Sequence, residues 1–187
     1  MEYRWKELVL RPIAEKDLPV LWKLKYSEEL PQWKKWDAPY FEHKHLPFSE
    51  YMKIKDEIIN QDSCWAIEVN GELIGTISYY WEHQPSRWME MGIGIYNPAY
   101  WNGGWGTKAL SLWITHIFHS FDIARIGYTT WSGNVRMIRL GEKLGMQLEG
   151  RMRKVRYHDG EYYDSIRMGL LREEWEVIRN CVQERIK

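Results

Sequence analysis

A chain of 187 residues that is 44% hydrophobic is long enough to bury a sizeable core in one domain. Its 26 Lys+Arg balance 26 Asp+Glu, so no electrostatic argument exists for nucleic acid or an anionic membrane as partner; a small molecule or a locally recognised peptide is expected. The only cysteines, Cys64 and Cys181, lack CxxC spacing and fit a reducing compartment. The start, MEYRWKELVL, has no signal-peptide core, and no apolar run approaches the roughly 20 residues that span a bilayer. The expectation is a cytoplasmic protein, monomer or homodimer, with no nucleic-acid or membrane partner.

In chain order, ELVLRPI over 7–13 predicts a first strand, and EKDLPVLWKLKYS a helix with Leu18, Leu21, Trp22 and Lys25 on one side. Pro31, Pro39 and Pro47, with aromatics between them, predict a long loop containing short helical turns. Trp22, Trp33, Trp36, Tyr26, Tyr40 and Phe41 crowd this region, either filling a core or walling a ligand pocket. Helical spacing returns over 48–61, with Ser49 as N-cap. CWAIEV and ELIGTISYYW flank Asn70-Gly71, the strongest short hairpin signal, and RWMEMGIGIY over 87–96 adds a third strand.

Then comes YWNGGWGTKAL, where Gly103, Gly104 and Gly106 stand just before a helix carrying Leu110, Trp113, Ile114, Ile117 and Phe121 on one stripe. ARIGYTTW predicts a strand, NVRMIRLGEKLGM a helix closed by Gly145, and RMRKVRYHDGEYYDSIRMGLL a hairpin turning at Asp159-Gly160. REEWEVIRNCVQERIK predicts a terminal helix. The order gives a mixed α/β fold in one domain over 1–187. A helix start exposes unpaired N–H groups at the positive end of its dipole, and glycines let a phosphate approach them. The loop has neither GK[ST] nor G-x-G-x-x-G, so by itself it reads equally as a plain turn.

The strand, loop, helix, strand, SGNVRMIRLGEKLGM and closing hairpin together resemble the GNAT superfamily of acyl-CoA-dependent N-acetyltransferases. The family's loop reads Q/R-x-x-G-x-G/A; Gly104 and Gly106 match it, while Trp101 replaces Gln or Arg. Thr107, Ala109 and Leu110, then Asn134 and Glu142 to Gly145, also match. LVLRPIAEKDLPVLW and DGEYYDSIRMGLLREEW resemble the opening and closing segments of the ribosomal-protein-alanine acetyltransferase branch. The resemblance implies one domain with a central, mostly antiparallel twisted sheet flanked by helices. It implies acetyl-CoA as acyl donor, with no metal, and a primary amine as acceptor, either a protein N-terminus or a small molecule. The pyrophosphate would lie on Trp101, Asn102, Gly103, Gly104, Trp105, Gly106 and Thr107, with Trp101 packing over the loop and adding no charge. The pantetheine arm would pair with Gly94, Ile95 and Tyr96 and bond Asn134, which reads alternatively as the N-cap of the next helix.

Amine acetylation needs a neutral nitrogen, a polarised thioester and a proton for the leaving thiolate. Glu90 matches the acidic residue of the branch's E-x-G strand and is expected to face the same side as Gly92 and Gly94. It would be a carboxylate with a raised pKa in an aromatic-lined cleft, acting as base; the alternative is a solvated acid on an open face. The family's general-acid tyrosine position is Gly141 here, and the branch's serine is Met137; water or a hairpin tyrosine such as Tyr157 is left to protonate the thiolate. His116 and His119, and His43-x-His45, read as core or surface histidines, and RMRKVR as a solvated strand face. The rival function is a non-catalytic acyl-CoA-binding or interaction module on the same fold.

Overall fold

The computed structural model describes residues 2–59 and 61–185. Eight strands form one sheet in the order β1-β2-β3-β4-β5-β6-β8-β7. They are β1 (Tyr3–Trp5), β2 (Leu8–Pro12), β3 (Cys64–Val69), β4 (Glu72–His83), β5 (Trp88–Ile95), β6 (Arg125–Trp131), β7 (Gln147–His158) and β8 (Glu161–Leu171). Every adjacent pair is antiparallel except β5 and β6. Asn70 and Gly71 both take positive φ (52° and 80°), and Asp159 and Gly160 do the same (47° and 84°), so both hairpins turn where the sequence placed them.

Helices α1 (Leu18–Tyr26) and α2 (Phe48–Lys53) cover one face; α3 (Trp105–Ser120), α4 (Val135–Lys143) and α5 (Arg172–Arg185) belong to the other. The larger core joins Leu8, Ile67, Ile77, Met89 and Met91 of the sheet to Leu110, Trp113 and Ile117 of α3 and Trp175 of α5. The smaller core packs Leu18 and Leu21 against Tyr51, Ala66 and Tyr96. The sheet's alternation is the cause: Met89, Met91, Ile93 and Ile95 meet the larger core, while Tyr96 joins the smaller.

Two expectations change in detail. The helix over 48–61 ends at Lys53 and continues as a short 3₁₀ turn over Lys55–Glu57, with Pro47 rather than Ser49 as N-cap; Asn60 lies outside the described residues. The strand Tyr3–Trp5 was not expected; it pairs with β2 through a turn in which Lys6 takes φ 50°. The Pro31–Pro47 stretch is irregular apart from a 3₁₀ turn over Gln32–Lys35. Tryptophans divide between both roles: Trp65, Trp113 and Trp175 are core, whereas Trp33, Trp36 and Trp131 line a cavity.

Candidate functional site

Strands β5 and β6 pair at only two rungs, Met89 with Ile126 and Glu90 with Gly127. Beyond Glu90, β5 keeps β4 as its partner and β6 keeps β8, so the two strands diverge and leave facing backbone edges without a strand between them. Unpaired backbone edges inside a protein need a polar partner. The cavity in this fork, about 560 Å³, is lined by Met91 to Tyr96 of β5 and its end, and by Tyr128 to Trp131 of β6. The Pro-rich segment (Trp33, Trp36, Asp37, Tyr40) closes it from above, with Lys25 of α1 and Arg156 of β7.

At the far end of β5, Trp101 Nε1 donates to the Ile95 carbonyl at 2.9 Å. Three residues on, Gly104 takes φ 76° as N-cap of α3, and its carbonyl accepts the helix's first bond from Lys108 N–H at 3.1 Å. The N–H groups of Trp105, Gly106 and Thr107 precede that bond, and the first turn carries no acidic side chain. A Cβ at Gly106 would come within 3.0 Å of Leu140 and 3.7 Å of Ile95, so the helix start abuts both the strand end and α4. A Cβ at Gly103 would meet the Trp105 ring at 2.8 Å. Trp101 itself brings no charge, but Lys35 Nζ lies 4.9 Å and Arg136 Cζ 5.3 Å from its ring centroid, and Asn102 takes φ 65° beside it.

Glu90 requires a correction. It faces the side that alternation predicted, but it is not among the cavity residues and has no exposed surface. It sits on the last paired rung, where Oε1 accepts from Arg125 Nη1 at 2.9 Å and from Trp88 Nε1 at 3.0 Å, and Oε2 has no partner. Arg125 also donates to Glu149 through Nε at 2.8 Å. The guanidinium lies over Gly127 and the Glu149 carboxylate over Gly169, positions where any Cβ would collide with them. The expected cleft carboxylate is therefore a clamp at the closed end of the fork. Its location depends on where pairing stops, which alternation within β5 does not encode.

Asn134 lines the cavity, yet both ends of its amide are engaged: Oδ1 caps α4 through Met137 N–H at 3.1 Å, and Nδ2 donates to the Trp36 carbonyl at 2.8 Å. Trp131 Nε1 donates to the same carbonyl at 3.1 Å, and Trp36 stacks edge-on against Trp101 at 6.4 Å. The Pro-rich segment is thus strapped across the fork. Gly141 is explained by packing: the Tyr128 hydroxyl, which donates to the Met137 carbonyl at 2.7 Å, occupies the space a Cβ would need. Burial pushes the Tyr128 phenol above its ordinary range. Tyr157 is exposed, meets the Tyr162 ring at a tilt and does not line the cavity. His116 lies in an aromatic cluster with Tyr3, Trp65 and Trp113, where burial lowers its pKa, and His43 bonds the Glu28 carbonyl at 3.0 Å.

Sequence reasoning did not assign Tyr128, Thr76 or Lys25 to the cleft. Thr76 Oγ1 and Tyr96 Oη share a 2.8 Å hydrogen bond, and the Tyr96 ring lies over Gly94, where a Cβ would come within 2.7 Å of it. The legible signal for Lys25 was a lysine four residues after Leu21 on the buried side of α1.

Comparison with known proteins places this geometry. A family model described as Acetyltransferase (GNAT) domain matches residues 7–147. An uncharacterized N-acetyltransferase of Bacillus subtilis (strain 168), YoaA, is 34% identical over 103 residues, 54% of this chain. That match covers 58% of YoaA, and a second, to the prophage-derived N-acetyltransferase YokL of the same organism, covers 63% of that relative. Spermidine N(1)-acetyltransferase of Escherichia coli (strain K12) is 24% identical over 168 residues, covering 89% of this chain and 87% of the relative. The crystal structure of spermidine N-acetyltransferase from Vibrio cholerae in complex with CoA and spermine superposes with a TM-score of 0.73 at 19% identity, covering 92% of this chain and 99% of that one, and shares the fold.

Proposed function

The chain belongs to the GNAT acetyltransferase family, and on that premise we propose that it transfers the acetyl group of acetyl-CoA to a primary amine. The observation that carries this reading is the fork: open strand edges from Met91 onward lead directly to a glycine-capped helix start. The two features suit the two parts of one ligand. The β5 edge beyond Met91, toward Gly94, Ile95 and Tyr96, offers backbone groups to the amides of the pantetheine arm, although the Ile95 carbonyl is already taken by Trp101 and the Tyr96 N–H by the Ile74 carbonyl. Within the loop from Trp101 to Thr107, whose Trp101 N–H is bonded to Pro98, the start of α3 offers the N–H groups of Trp105, Gly106 and Thr107 and the dipole of a 16-residue helix to a diphosphate. Trp101 acts here as a platform; Lys35 and Arg136 bring positive charge beside the loop. Asn134 shapes the cleft by holding Trp36.

Acetyl-CoA would supply the thioester: the N–C bond forms at its carbonyl carbon as the C–S bond breaks, and the proton lost from the nitrogen passes through solvent to the departing thiolate, leaving the amide and the free CoA thiol. The chain's residues orient the acceptor and exclude water with the Trp33, Trp36 and Trp131 walls. Glu90 and Arg125 fix where the fork opens. Among the described residues no unpaired carboxylate lines the cleft: Asp37 is bonded to Lys34 at 2.7 Å. An amine with a pKa near 10 is mostly charged at pH 7, so solvent removes its proton, and turnover should rise with pH. The similarity of the opening and closing segments supports a place beside the ribosomal-protein-alanine branch.

The missing cleft base favours a second reading, an acyl-CoA-binding module without catalysis. Thiol release from acetyl-CoA across an amine panel, with cofactor affinity measured separately by calorimetry, decides between them. Amine-dependent thiol release supports the transferase; micromolar binding without release on any amine supports the module.

A further inference from the structure

The inward face of α1 runs Leu18, Leu21, Lys25, two buried leucines followed by a lysine that lines the cleft. Its Nζ lies 5.3 Å from the Tyr26 ring centroid and 5.5 Å from that of Tyr96, the ring that covers Gly94. Tyr96 first, then Tyr26, favour its charged form more than burial opposes it, so its pKa stands above the ordinary lysine range. No carboxylate among the described residues forms an ion pair with it. Arg156, in the same lining, lies over the Tyr40 ring at 5.3 Å and among the described residues has no ion pair, while the carboxylate in that lining, Asp37, is taken by Lys34.

We propose that the acceptor is an amine that also carries an anionic group, a carboxylate or a phosphate, bound by Lys25, with Arg156 lining the same cavity. The inference deepens the transferase reading and rests on it for the word acceptor. Lys25 keeps its charge in the cleft with tyrosines rather than a carboxylate around it, so that charge is available to a ligand anion. The cofactor's own phosphates are an unsuitable counter-ion: Lys25 stands on the α1 face of the sheet, against Tyr96, whereas the glycine loop opens α3, which packs on the opposite face. A polyamine would place ammonium groups against an uncompensated cation. An aminoalkyl phosphate or a short amino acid fits the 560 Å³ cavity and its charge.

The test uses matched acceptors: O-phosphoethanolamine against ethanolamine, β-alanine against β-alaninamide, and spermidine. Binding to the CoA-saturated full chain is measured by calorimetry, and transfer by thiol release. The anionic member of at least one pair is expected to bind about tenfold or more tightly, with the pair that responds identifying carboxylate or phosphate. Lys25→Met should bring that ratio close to one, acting on KM more than kcat, and Lys25→Arg should keep most of it. Equal binding within both pairs, preference for spermidine, or a ratio untouched in a folded Lys25→Met protein overturns the proposal. Transfer without anion preference sinks the anion site and leaves the transferase standing. Anion-dependent binding lost in Lys25→Met, with no transfer to any amine, does the reverse.

Discussion

Arg11 and Arg125 are built alike and hold different parts of the cleft. Each guanidinium bridges two carboxylates: Arg11 takes Asp17 (2.6 Å) and Glu68 (2.8 Å), and Arg125 takes Glu90 (2.9 Å) and Glu149 (2.5 Å). The Arg11 cluster ties β2 and β3 to the turn that starts α1, and so fixes the helix that carries Lys25 inward. The Arg125 cluster ties β5, β6 and β7 at the last rung before the fork. The carboxylates differ in how completely they are satisfied. Asp17 has Arg11 on both oxygens and also accepts the Ala14 N–H at 2.8 Å, whereas Glu90 is wholly buried with Oε2 unpartnered. The charge in these two clusters therefore holds the walls of the cleft in place.

The sharpest way to break the comparison is to remove each arginine. Arg125→Ala leaves the buried Glu90 carboxylate without a cation and with only its Trp88 Nε1 bond, and is expected to cost roughly 3–5 kcal/mol, read from the urea midpoint. Arg11→Ala leaves Asp17 its Ala14 bond and should cost about 1.5–3 kcal/mol in the same measurement. Equal losses would mean that the unpartnered oxygen of Glu90 carries no energetic weight.

Backbone recognition is tested next, at Gly104. A Cβ there would meet no protein atom within 4 Å, but φ is 76°, a conformation that strains a β-branched residue. Gly104→Val would confound stability with binding, so Gly104→Asn, which tolerates this conformation, is the cleaner change. Acetyl-CoA affinity is expected to fall about tenfold (~1.4 kcal/mol) with the thermal midpoint nearly unmoved. Unchanged affinity would remove the phosphate role of the loop.

The same contrast explains what was legible in the chain. The glycine loop, the Asn70-Gly71 hairpin and the helix stripes are local: their φ values and periodicities are properties of neighbouring residues. Glu90's face was legible for the same reason. Its partner was not, because the fork's apex depends on how far β5 pairs with β6, and Arg125 lies 35 residues away. The strand Tyr3–Trp5 is three residues long with a lysine in its turn, too short for alternation to register. The Trp36 strap and the Tyr96 ring beside Lys25 come from segments distant in sequence from what they touch, and no pattern within one segment announces them.

The smallest effect expected is the pH signature of the Arg11 cluster. Burial raises the Asp17 pKa, but the Arg11 bond, the Ala14 N–H and the Arg11 charge outweigh it, so the folded value lies below the ordinary ~3.9. At neutral pH the carboxyl is ionised folded or unfolded, and its pairing contributes in full. As pH falls through about 3.9 the unfolded chain takes up its proton first, which favours unfolding, and the contribution disappears once pH passes the lower folded value. Asp17→Asn removes that titration. The variant should be less stable than the parent at pH 7, and the gap should narrow as pH drops below about 4. Urea midpoints measured from pH 7 to pH 3 check it, and a gap that stays constant across that range would show that Asp17 acts through its hydrogen bonds alone.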